Sequence, residues 1–117
     1  MPPTTPFEFG DVVLVPFPFT DQSTTKKRPA IVVSSAEYGA RRPDLVIAAV
    51  SSRIRTSAGF GEVILGGWKE AGLLGPSVVK PVLATIERRL VLRRLGRLGP
   101  DDRASLEATL RLVLSSR

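Results

Sequence analysis

The apolar residues of this chain come in short runs, each stopped by proline, glycine or a polar cluster. That spacing suits a small β structure and leaves room for little helix. Residues 10–17 read as a first strand. Val13 and Val15 alternate there with Val12 and Leu14, so both faces are apolar, as in a buried strand. Pro16 and Pro18 end its regular pairing. Further strands are predicted at 29–35, 44–51, 62–65 and 77–80, the last stopped by Pro81, with another near 89–92. A helical turn is expected around Lys69–Ala71 within the glycine-rich stretch from Gly66 to Pro76, and Glu37 to Pro43 reads as a polar connection.

Helical spacing appears once, near the end. Gly99-Pro100-Asp101-Asp102 has proline and two carboxylates where a helix starts. Leu106, Leu110, Val113 and Leu114 then recur on one stripe, which reads as core packing. The reading is mostly β (α+β): a small barrel with a C-terminal helix. Residues 1–8 form a proline-rich lead-in and 9–117 a single domain, since 117 residues with 43% hydrophobic content can bury one core.

Composition narrows the chemistry. The chain has no cysteine and no histidine, which removes thiol nucleophiles, the usual general acid/base and the commonest metal ligand. No metal and no cofactor are expected. The net charge of +6 favours a polyanionic partner, nucleic acid first. No apolar run reaches the roughly 18 residues of a membrane span. The opening Met1-Pro2-Pro3-Thr4-Thr5-Pro6 lacks the basic and apolar regions of a signal peptide, so a cytoplasmic protein is expected.

Three polar constellations carry the possible chemistry. Lys26-Lys27-Arg28 ends the first loop and abuts Pro29, where the second strand is expected to begin. An arginine held at a strand start can clamp a phosphate with two parallel hydrogen bonds, and the lysines can attract the backbone more diffusely. The same charges on a solvated loop would only oppose edge pairing. Ser51-Ser52-Arg53-Ile54-Arg55-Thr56 lies at the end of the third strand and offers hydroxyls and cations, or ordinary strand termination. Arg88-Arg89, Arg93-Arg94 and Arg97 form the densest charge, which reads better as a solvated or partner-facing surface than as a nucleic-acid track.

Taken together, these segments resemble the MazF/PemK family of toxins from type II toxin–antitoxin systems, the PemK-like branch in particular. The resemblance runs from Gly10 to about Leu114. It rests on Gly10–Asp21, Lys27-Arg28-Pro29-Ala30, Ser51-Ser52, Gly75–Pro81 and Leu95-Gly96-Arg97-Leu98 in that order. It implies a homodimer of SH3-like barrels with five to seven strands. It also implies a metal-independent endoribonuclease acting on single-stranded RNA, and a cognate antitoxin that covers the RNA groove.

The family's arginine and hydroxyl residues carry over to Arg28 and Ser51 as catalytic candidates, with Ser52 the near alternative. Around them, Phe19, Thr20, Lys26, Lys27, Ser52, Arg53 and Lys80 are the candidate RNA contacts. Lys80 stands where some relatives have arginine, and the aspartate two residues on is missing. Asp21 in the first loop is the substitute carboxylate. Two other readings compete: a CcdB-type gyrase poison working through its C-terminal helix, and an RNA-binding barrel without catalysis.

Overall fold

The structure, a computed structural model, describes residues 6–16, 26–54 and 57–115. Six strands form one curled antiparallel half-barrel: β1 (Asp11–Pro16), β2 (Lys27–Val32), β3 (Asp44–Ser51), β4 (Val63–Ile64), β5 (Val78–Glu87) and β6 (Arg93–Arg97). Their order across the sheet is β4-β5-β3-β2-β1-β6. Among the described residues two α-helices accompany the sheet, α1 (Ala36–Arg41) and α2 (Pro100–Val113).

The expected mostly-β architecture with a C-terminal helix is what the chain adopts. Val12, Val13 and Val15 of β1 are fully buried, as two apolar faces require. The sheet carries a cluster on each face. Val12, Ile31, Ala48 and Val50 pack with Val79 and with Leu106 of α2. Val13, Val15, Ala30, Val32, Leu45 and Ile47 form the other, with Phe7 against it. The strand registers agree with this division, since Val12 faces Ile31 and Ile31 faces Ala48, while Val13 faces Ala30.

Pro81 does not stop β5, which runs on to Glu87. The β3–β5 register shifts between Ala48 (opposite Leu83) and Val50 (opposite Val79). Pro81 therefore falls in the irregularity, where a ladder N–H is not needed. Pro29 is likewise inside β2 rather than at its start. It pairs with Leu14 of β1, and the recorded β2–β3 ladder begins one residue later at Ala30. A missing donor on that side costs no ladder bond.

Two elements differ from the sequence reading. The polar stretch after β2 contains α1, capped by Ser35, whose Oγ accepts from the Tyr38 N–H at 3.1 Å. The strand expected near 89–92 is a 3-10 turn at Arg88–Leu90, and β6 follows it. In α2 the stripe is split: Leu106 is buried and Leu110 packs on the core, but Leu114 is exposed. Asp102 in its first turn accepts from the N–H groups of Gly66 (3.2 Å) and Gly67 (2.9 Å), which ties the glycine-rich turn to the helix.

Candidate functional site

Strand alternation decides which side chains meet at the end of the β6-β1-β2-β3 segment. Leu14 lies opposite both Pro29 of β2 and Arg93 of β6, so these three share a face. Lys27, two residues before Pro29, points to that same face, and Arg28 to the other, opposite Val15. Ala30 faces Ala49 across β2–β3. Ser51 and Ser52 follow Val50 at the end of β3, beyond the last β2–β3 pair, Ala30 with Ala49. The sheet end thus gathers two cations of β2 and the hydroxyls that close β3.

A cavity of about 420 Å³ opens on the Leu14 face. Its floor is apolar, from Leu14, Pro29, Val50, Leu73 and Leu95. Lys27, Arg28, Ser52 and Arg93 border it, with the Gly72–Ser77 loop as the facing wall. Among the described residues no carboxylate lines it. Lys27 and Arg28 are exposed and make no ion pair with any described residue. An amphipathic hollow with uncompensated cations can take a ligand that is anionic at one edge and flat and apolar at another.

The wall is fixed by direct backbone contact. A Cβ on Gly72 would lie 2.1 Å from the Leu95 carbonyl oxygen, and one on Gly96 would lie 2.2 Å from the Ala71 oxygen. Gly72 also has φ of +89°, in the left-handed region. The two glycines let the loop and β6 touch without side chains between them. Ser77 closes the loop, its hydroxyl donating to the Gly75 oxygen at 2.8 Å.

Most of the arginine cluster is committed elsewhere. Fully buried Asp11 accepts from Arg97 Nε at 3.3 Å and pairs with Arg94 at 3.2 Å; Arg94 also stacks over Phe7, 4.7 Å from its centroid. Arg88 donates to the Gly39 oxygen, and Arg89 pairs with Glu87. At the opposite end of β3 from Ser51, the Arg42 hydrogen bond holds the Asp44 carboxyl below its usual range, and the same bond raises Arg42.

The candidates from sequence divide as follows. Arg28, Lys27 and Ser52 meet at the cavity. Ser51 ends β3 beside it, its hydroxyl accepting from the Arg53 N–H at 3.1 Å. Lys26 and Arg53 are exposed and do not line the cavity. Lys80 is held by Glu62 at 2.6 Å, away from the cavity lining. Phe19, Thr20 and Asp21 lie outside the described residues. The sequence reading missed Leu14, Arg93 and the 72–77 wall as site residues. The cluster of glycines with Pro76 was a loop signal, but nothing local showed that it would pack on β6.

Comparison with known proteins gives the fold and the family. A family model described as "PemK-like, MazF-like toxin of type II toxin-antitoxin system" matches residues 8–114. An endoribonuclease solved with its cognate antitoxin from a Mycobacterial species superposes with a TM-score of 0.73 at 18% identity, covering 95% of this chain and 99% of that one. The MazE–MazF complex (Form-II) of Deinococcus radiodurans gives 0.73 at 20% identity, with 97% and 100% covered. The Mycobacterium tuberculosis toxin MazF-mt6 gives 0.70 at 18% identity, with 87% and 93% covered. No curated protein matches the chain.

Proposed function

The chain belongs to the family of PemK-like, MazF-like toxins of type II toxin–antitoxin systems, and on that premise we propose that it is an endoribonuclease cutting single-stranded RNA without a metal ion. One observation carries the reading: Lys27 and Arg28, with no ion pair to any described residue, stand with Ser52 at the edge of an apolar cavity, and Ser51 ends β3 beside it. Phosphate suits the first feature and a nucleobase or ribose suits the second.

RNA supplies the nucleophile that a chain lacking histidine and cysteine does not. The 2′-oxygen bonds to the adjacent phosphorus, and the bond from phosphorus to the 5′-oxygen breaks. Attack requires loss of the 2′-hydroxyl proton, which Asp21 accepts, and the departing oxygen takes up a proton from the surrounding water. Arg28 faces the charge that builds on the phosphoryl oxygens, where a fixed donor lowers the barrier most. Ser51, at the end of β3, donates to a phosphoryl oxygen. Lys27 and Ser52, on the cavity face, hold the strand beside the scissile bond. The products are a 2′,3′-cyclic phosphate and a 5′-hydroxyl.

The toxin acts as a homodimer in the cytoplasm and is neutralised by a cognate antitoxin. Among the described residues no helix is long and apolar enough to cross a membrane.

Purified protein in excess EDTA is expected to fragment a single-stranded RNA and leave a perfect duplex of the same sequence intact, while DNA gyrase keeps its supercoiling activity. Intact RNA over varied sequences with gyrase inhibited would reverse the conclusion. The two serines separate by kinetics. Ser51→Ala is expected to lower kcat by about a hundredfold, the usual cost of one transition-state donor. Ser52→Ala is expected to raise KM with kcat little changed. A larger kcat loss in Ser52→Ala than in Ser51→Ala would exchange their roles.

A further inference from the structure

Arg93 is the one arginine of β6 that points into the cavity. Arg93 lies opposite Leu14 and lines the cavity, as does Leu95, which falls in the β1–β6 register shift between Arg94 and Gly96. Arg94 and Arg97 turn to buried Asp11 and share its one negative charge. Arg93 has no hydrogen bond or ion pair with any described residue. It sits opposite Leu14, which is itself opposite Pro29, so the guanidinium rises from the strand two places away from β2. At the usual strand spacing that separation is about 10 Å.

The cavity is therefore flanked by cations on both sides, Lys27 and Arg28 on one and Arg93 on the other, over an apolar floor. Like charges around one hollow repel in the free protein and are relieved by a ligand with more than one negative group. A polynucleotide spanning the hollow meets this requirement, its base on Leu14 and Leu95 and its phosphates at the two rims. A planar guanidinium can grip one phosphate through two hydrogen bonds.

We propose that Arg93 binds a second backbone phosphate, flanking the scissile one, and so fixes the path of the RNA across the cavity. This rests on the ribonuclease reading above and adds a contact that acts on binding rather than on bond cleavage. Arg93 belongs to an arginine cluster that sequence alone read as surface charge.

The test measures binding of the full chain to a mixed-sequence, fully 2′-O-methylated RNA, which has no free 2′-hydroxyl to attack, over a range of salt concentrations. Arg93→Gln is expected to weaken binding about tenfold at low salt, the equivalent of one charge-assisted hydrogen bond. Its plot of log affinity against log salt should be shallower by about 0.7, the share of one single-strand phosphate. Arg93→Lys should keep the slope. Arg111→Gln, the same charge change on α2, should match the parent in both respects. The melting temperature of free Arg93→Gln should equal or exceed the parent's, because a repelling charge has gone.

A parent slope in Arg93→Gln, or an equal loss in Arg111→Gln, overturns the proposal. So does a fall in the melting temperature large enough to account for the lost binding. Parent protein that neither binds this RNA nor cuts its unmodified counterpart refutes the ribonuclease reading itself. Parent protein that does both, beside an unaltered Arg93→Gln, refutes only the contact.

Discussion

Arg28→Ala is expected to lose at least about a hundredfold in the rate of RNA cleavage while remaining folded. Arg28 is exposed, lies at the open end of β2 and pairs with no described acidic group. Its removal therefore leaves no buried charge behind, and an exposed substitution of this kind shifts stability by about 0.5 kcal/mol or less. The loss should fall mainly on kcat, since the guanidinium meets the additional negative charge that builds on the phosphoryl oxygens as the 2′-oxygen attacks. Arg28→Lys should recover a part of the rate, because lysine restores the charge without the planar fork. A single-turnover rate for Arg28→Ala equal to the parent's would remove Arg28 from the chemistry.

Gly96→Ala and Gly72→Ala should act through stability instead. Each added methyl group would meet a backbone oxygen at little more than 2 Å, and backbone on both sides leaves no flexible side chain to yield. At Gly72 the left-handed φ of +89° adds strain of about 1–2 kcal/mol. A loss of about 3 kcal/mol or more is expected for either, which is large for one methyl group. In a domain of this size the melting temperature should fall by about 10 °C or more. Thermal unfolding followed by far-UV circular dichroism measures it. Gly75→Ala is the comparison, since a Cβ there meets nothing within 4 Å and the loop should accept it. Equal melting temperatures for all three variants would mean that loop and β6 do not touch as described.

Much of this fold was legible because its strands are locally marked. β1 and β3 declare themselves through uninterrupted valine, leucine and alanine, and α2 through Pro100, its two aspartates and Leu106. What was missed depends on distant partners. Pro81 is a reasonable strand terminator until β3 supplies an irregularity to receive it. The six residues of α1 rely on the Ser35 cap and contain Gly39, so no helical period can develop. β6 was displaced because its arginines look solvated. Their alternation between Asp11 and the cavity emerges only once β6 lies beside β1.

The candidate site divides along the same line. The cations before Pro29 and the hydroxyls at the end of β3 stood out from their composition, and Lys27, Arg28 and Ser52 border one cavity. Lys80 also looked like a phosphate contact, but Glu62 holds its ammonium group. The far wall of the cavity comes from Gly72–Ser77 and Arg93, roughly half the chain away from Arg28. Close backbone approach of Ala71-Gly72 to Leu95-Gly96 seats that wall on β6.

The central claim is that the RNA attacks itself through its own 2′-hydroxyl, with Arg28 stabilising the charge. Analysis of the fragment ends formed in excess EDTA tests this most directly. The account predicts 5′-hydroxyl ends that a kinase labels without prior phosphatase treatment, matched by 2′,3′-cyclic phosphates, and no cut where the scissile ribose is replaced by 2′-deoxyribose. Fragments with 5′-phosphate ends, or cleavage at a 2′-deoxy site, would contradict it.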